Sequence, residues 1–181
     1  MTARAASAQD TADRLMEAML ALFRTTPYPS LRLDDVARDA GVTVQTAIRR
    51  YGTKEQLLAA TARREVERIT AARAGSAFAD PGTAIGALCE YYEADGDLIA
   101  RFEAEAALVP MLAELARGGR AVHIRWIEAV FAARLGADRA VRLAQLVAIL
   151  DVRTWQVLRR ERGLSPDDTR RALEGLVAPI G

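Results

Sequence analysis

Apolar side chains return every three or four residues along most of the chain, and period-two β-branched runs are absent, so the pattern predicts helices throughout. The first helix is predicted over residues 8–25, with Leu15, Met19, Leu22 and Phe23 on one stripe. Pro27-Tyr28-Pro29-Ser30 breaks it, because proline disfavours helix in the residue before it. A short second helix is predicted over 33–40, where Leu33, Val36, Ala37 and Ala40 share a face, and Gly41 ends it. Thr43 reads as the N-cap of a third short helix ending near Tyr51-Gly52. Thr53 with Gln56 reads as a capping box opening a fourth helix to about residue 74. Gly75-Ser76 and Asp80-Pro81-Gly82 then read as a linker. Further helices are predicted at 82–94, 97–107, 110–135, 138–162 and 166–177. Gly118-Gly119 is expected to kink or split the third of these, and Pro110 and Pro166 suit first-turn positions.

The segment from Leu33 to Tyr51 is the most informative. Two short helices joined by a three- to four-residue turn containing glycine make a helix-turn-helix. Ala37 is small enough for the helices to approach closely, Gly41 permits the sharp turn, and Val42 fills the angle between them. Ala47, Ile48 and Tyr51 are expected to face inward. Gln45, Thr46, Arg49 and Arg50 are then left outward, and these are side chains that pair with base edges and phosphates.

Charge sharpens this reading only slightly. The net charge of +1 conceals an asymmetry: residues 1–64 hold ten Arg or Lys against seven Asp or Glu, and the remainder holds fifteen against seventeen. Lys54 is the only lysine. Cys89 is the single cysteine, so no internal disulfide forms, and no segment approaches the ~18 consecutive apolar residues of a membrane span. No secretory signal is visible at the start, so the expected location is cytoplasmic. One His, one Cys and no Ser-centred or Gly-rich nucleotide motif argue against an enzyme, a metal site or a cofactor. A pair of His123 and Cys89 matches no catalytic signature.

From Leu15 to Leu58 the chain resembles the N-terminal domain of the TetR (tetracycline repressor-like) family. The resemblance runs through Leu22-Phe23, Pro27-Tyr28, Val36-Ala37, Ala40-Gly41-Val42-Thr43, Thr46, Tyr51 and Thr53-Lys54-Glu55-Gln56-Leu57-Leu58. It implies an all-α protein with an N-terminal three-helix helix-turn-helix DNA-binding domain over 1–60. A larger C-terminal helical dimerisation and ligand-binding domain would follow over 61–181. By position it implies that Val44, Gln45 and Thr46 meet base edges, with Gln45 suited to adenine and Val44 to a thymine methyl. Thr43, Arg49, Arg50 and Lys54 would clamp phosphates, joined by Arg32. The chain departs from the family pattern at Arg32, Gln45, Ala47, Ile48, Arg50 and Tyr51; at Ile48 it lacks a tyrosine hydroxyl that members direct at phosphate.

The same resemblance implies a repressor released from a palindromic double-stranded operator by a small molecule, acting as a homodimer. Dimer contacts fall to the last two helices, through Leu143, Leu146, Val147, Leu150, Val157, Leu158, Leu173, Leu176 and Val177, although intramolecular core is the competing reading. The ligand, apolar or aromatic, would meet Tyr91, Tyr92, Phe102, Met111, His123, Trp126 and Trp155, with Phe131 nearby. Large side chains at helical spacing are also what a core requires. Arg101, Glu103 and Glu105 could pair with a polar group of such a ligand. The alternative is a helical ligand-binding or adaptor protein of the same fold that has lost operator binding.

Overall fold

A computed structural model of the chain describes residues 3–74, 80–107 and 109–180, with the side chains of 3–6 and 72–74 excepted. The expected linker Gly75-Ser76 lies outside the described residues. Among the described residues the α-helices are, in order, α1 (Ala3–Thr25), α2 (Leu33–Asp39), α3 (Val44–Tyr51), α4 (Lys54–Ala74), α5 (Pro81–Ala106), α6 (Pro110–Val130), α7 (Ala132–Leu135), α8 (Arg139–Ile149), α9 (Val152–Gln156) and α10 (Pro166–Val177). A helical turn at Tyr28–Ser30 joins α1 to α2, and a π-helical turn at Val157–Glu161 extends α9. No strand occurs among the described residues, and none of their helices is long and apolar enough to cross a membrane.

The chain divides into two compact units. The first holds Met1–Glu67 and Glu103–Leu115; the second holds Arg68–Phe102 and Ala116–Gly181. The first unit therefore reaches past residue 60 and takes in a stretch expected in the C-terminal domain. In it, Leu15, Met19 and Phe23 of α1 are fully buried, as are Val36 and Ala37 of α2, Ala47 of α3 and Leu57 of α4. The stripe read from the sequence is the stripe that packs.

In the second unit, Trp155, Phe131, Ile127, Leu88, Leu135, Leu146, Leu150 and Leu173 make one continuous core. Three expected helix boundaries are corrected by packing. The helices expected at 82–94 and 97–107 are one helix, α5, running through Gly96. A Cβ built on Gly96 would lie 2.5 Å from Trp155 Cζ3, so the glycine is there to admit an indole ring, not to end a helix. Gly118-Gly119 does not split α6; the break comes at Phe131, which leaves helical geometry with φ −104° and ψ 16° to start α7. The helix expected over 138–162 breaks at Leu150-Asp151, where Asp151 turns extended and its carboxylate caps α9 by accepting from Arg153 N. The freed Leu150 carbonyl accepts from Tyr92 OH at 2.9 Å, and His123 Nε2 lies 3.1 Å from it.

Two glycine substitutions separate these cases. Gly96→Ala is expected to destabilise the protein by about 1–3 kcal/mol, because the methyl group overlaps Trp155. Gly118→Ala, whose Cβ meets nothing within 4 Å, is expected to stabilise it by about 0.5–1 kcal/mol through helix propensity. Urea unfolding of the two variants checks this; indistinguishable midpoints would contradict the packing assigned to Gly96.

Candidate nucleic-acid interface

The corner between α2 and α3 is built from small residues and one left-handed turn. Gly41 takes φ +66°, and Val42 N donates to Ala37 O at 3.0 Å, closing α2 while α3 starts in a new direction. Arg14 of α1 donates to Ala40 O at 3.1 Å, which ties a carbonyl at that helix end to α1. Thr43 caps α3 as expected, its Oγ1 accepting from Thr46 N at 3.2 Å. Ala47 is fully buried against α2, and Tyr51 OH donates to Ala12 O at 3.3 Å. Burial pushes the Tyr51 hydroxyl upward, opposed by the Arg50 guanidinium beside it. These contacts fix one side of α3 and leave the other to solvent.

That outer side carries Gln45, Ile48, Arg49 and Arg50, all exposed, with Val44 and Thr46 half-buried. No acidic residue lies in α3. Arg32 is exposed at the start of α2 and lies 3.5 Å from Asp34. Arg50 also borders a cleft of about 470 Å³ lined by Tyr51, Glu55, Gln56, Ala59, Ala60, Arg63 and Met111. The inward placement expected for Ile48 is wrong: the side chain is 44% exposed. Ala47 and Tyr51 supply the buried contacts of α3, and a helix this short has one buried stripe, which leaves residue 48 beside it.

Lys54 opens α4. Its ammonium donates to Tyr28 O and to Leu31 O, each at 2.9 Å, and stands 4.1 Å from the centroid of the Tyr28 ring. Two of its three donors thus serve the turn before α2. Tyr28 is held on its other sides as well. Its OH donates to Glu55 Oε1 at 2.7 Å, and its backbone N–H donates to Glu105 Oε2 at 2.6 Å. Burial first, and then the Glu55 carboxylate, raise the Tyr28 hydroxyl well above its ordinary value, while the Tyr28 hydrogen bond lowers the Glu55 carboxyl. Glu105 is therefore a buried partner of the backbone and not a group waiting for a ligand. Nothing in the sequence links residues 28 and 105; only the Thr53-Gln56 box, whose reciprocal bonds form at 3.1 and 3.2 Å, was readable around this knot.

The residues expected around a ligand separate. Tyr92, Trp126, Trp155 and Phe131 are buried in the core of the second unit, where Tyr92 and Trp155 rings meet at 5.9 Å. Trp155 Nε1 donates to Glu93 Oε1 at 3.1 Å, an acceptor it shares with Arg159 Nε at 2.9 Å. Their burial is what the packing reading of these four side chains requires. Tyr91, Phe102 and His123 are half-buried in the second unit; Met111 is half-buried in the first, on the cleft named above. Burial also pushes the Cys89 thiol up to about 11, leaving it a poor nucleophile.

Among the expected dimer residues, Leu146, Leu150 and Leu173 are fully buried in their own subunit and cannot touch a second copy. Leu143, Val147 and Leu158 are half-buried against the same core. Of the apolar side chains expected there, Leu176 at 46% and Val157 at 43% are exposed, and they are accompanied by Val141 at 61%, which was not expected. The helical period had marked the wrong side of α8, because leucine there serves the monomer's core.

A helix-turn-helix with a capped, basic, outward-facing second helix on an all-α scaffold defines a class of DNA-binding regulator. Residues 15–61 match the family described as bacterial regulatory proteins, tetR family. Solved structures match over nearly the whole chain. A transcriptional regulator from Rhodococcus sp. Rha1 is 23% identical, with TM-score 0.75, covering 93% of this chain and 95% of its own. A transcriptional regulator from Saccharomonospora viridis, solved in complex with choline, is 20% identical, with TM-score 0.74 and coverage of 94% and 96%. The multidrug binding protein EbrR, complexed with imidazole, is 22% identical, with TM-score 0.64 and coverage of 91% and 93%. No curated protein matched the chain by sequence. Residues 15–61 thus carry the helix-turn-helix segment of that family, and the chain shares the fold of these solved structures.

The role found for Lys54 makes a stability prediction. Lys54→Met is expected to cost about 2 kcal/mol, since it removes charge-assisted bonds to two carbonyls. Arg49→Met, on the open face, is expected to stay within about 0.5 kcal/mol of the parent. Thermal unfolding of both variants checks this, and a Lys54 variant as stable as the parent would contradict the structural role of its ammonium.

Proposed function

We propose that the chain is a homodimeric, sequence-specific repressor whose α3 enters the major groove of a palindromic operator, and which a small molecule releases. The observation that carries this reading is the outer face of α3: Gln45, Arg49 and Arg50 exposed, no carboxylate among them, and the helix pinned from behind by Ala47 and Tyr51. Gln45 and Val44 stand at the start of the helix, where base edges are reached first; Gln45 suits adenine. Arg49 and Arg50, with Arg32 and Thr43 at the preceding helix starts, serve the phosphates.

A two-fold operator requires two copies with recognition helices one turn of DNA apart, ~34 Å. The surface best suited to pairing is on α8 and α10. Val141, Ala144, Gln145 and Ala148 form one exposed stripe at helical spacing, and Gly175, Leu176 and Pro179 are exposed on the packed neighbour. Small residues let helices approach closely, while Val141 and Leu176 bring the apolar area. Release by a ligand is supported by the relatives solved with choline and with imidazole. The ligand must favour a state in which the two heads no longer fit the operator. Such a regulator acts in the cytoplasm, where its DNA is.

Two experiments test the reading. For a duplex enriched by the chain from a random pool, Arg49→Ala should weaken binding to every enriched sequence alike. It should also reduce the slope of log affinity against log salt by about 0.9 for each phosphate that is no longer neutralised. Weakening confined to one base pair would make Arg49 a base reader. In sedimentation, the parent should run as a dimer and a Val141→Glu, Leu176→Glu double variant as a folded monomer with much weaker duplex binding. A double variant that stays dimeric would place the interface elsewhere.

A further inference from the structure

We propose that Ile48 is a sequence-reading residue, its exposed side chain receiving the C5-methyl group of thymine in the major groove. This rests on the operator-binding reading above. A β-branched apolar residue, 44% exposed, stands on a helix whose other outward side chains are polar or cationic. The other large apolar residues of comparable exposure among those described, Val141, Val157 and Leu176, belong to the second unit. It follows Val44 by four residues, so the two stack into a short apolar strip, while Gln45 and Arg49, also four apart, form a polar strip alongside. An occupant of this face must offer apolar contact inside a strongly anionic frame, because Arg49 and Arg50 flank Ile48 and α3 has no acidic side chain to balance them. Double-stranded DNA has that combination, since the thymine methyl is the apolar group on the floor of the major groove and phosphates line its walls. A protein surface matching it would need carboxylates around an apolar knob, which a second copy of this basic helix does not supply.

The methyl group can be removed without touching any hydrogen bond. In a duplex enriched by the parent protein from a random pool, each thymine is replaced singly by deoxyuridine, and the affinities of the parent and of Ile48→Ala are measured by fluorescence anisotropy. At one thymine per half-site the parent should bind about three- to fivefold more weakly, the worth of one buried methyl group. Ile48→Ala should bind the unmodified duplex more weakly and show no penalty at that position, while any penalty due to Val44 at another thymine persists. Ile48→Val should keep part of the effect. Because the side chain is exposed, all variants should melt with the parent. If Ile48→Ala keeps every deoxyuridine penalty of the parent, or the parent shows none, Ile48 does not read thymine even though the protein binds DNA. If the chain enriches no duplex at all, the operator-binding reading falls and this assignment falls with it.

Discussion

Everything functional in the first unit depends on how α3 is held from behind. Ala47 can be fully buried only because α2 approaches closely at Ala37, and that approach needs the +66° turn at Gly41. The Tyr51 hydroxyl on Ala12 O and the Thr43 cap then remove the remaining freedom at the two ends. An eight-residue helix is too short to be stable alone in water. Its orientation is therefore a tertiary property, and so is the identity of the side chains it offers outward. A loosened corner would not simply weaken α3; it would change which residues face solvent.

A second layer steadies the turn that leads into this corner. The loop at residues 27–31 has carbonyls that no helix satisfies, and Lys54 supplies donors to two of them while its charge lies over the Tyr28 ring. Glu55 and Glu105 complete the set from α4 and from the end of α5. The buried Glu105 needs such a partner most, because an unpaired buried carboxylate would carry its full desolvation cost. The result is a compact charged knot between chain segments distant in sequence. It ties the chain's only lysine to the turn before α2.

What the sequence disclosed and what it hid divide along physical lines. Local chemistry was legible: the Thr43 cap, the Thr53-Gln56 box, Gly41, and the prolines opening α6 and α10 each act within a few residues. Periodicity gave the buried stripe of α1 and the all-α class. It failed wherever a distant partner decided the outcome. The break expected between residues 94 and 97 is absent, because Gly96 there is the seat of Trp155. Leu146, Leu150 and Leu173 looked like an interface and proved to be core, since periodicity marks an apolar face without saying whose surface covers it. Ile48 was placed inside for being apolar, although Ala47 and Tyr51 had already taken the buried side.

The central claim is that the outer face of α3 lies in a major groove, and methylation protection probes that groove directly. In a duplex enriched by the protein, guanine N7 atoms within two half-sites about one helical turn apart should be shielded from dimethyl sulfate, while adenine N3 atoms in the minor groove between them stay reactive. Uniform reactivity at every guanine N7, or shielding confined to the minor groove, would contradict the account.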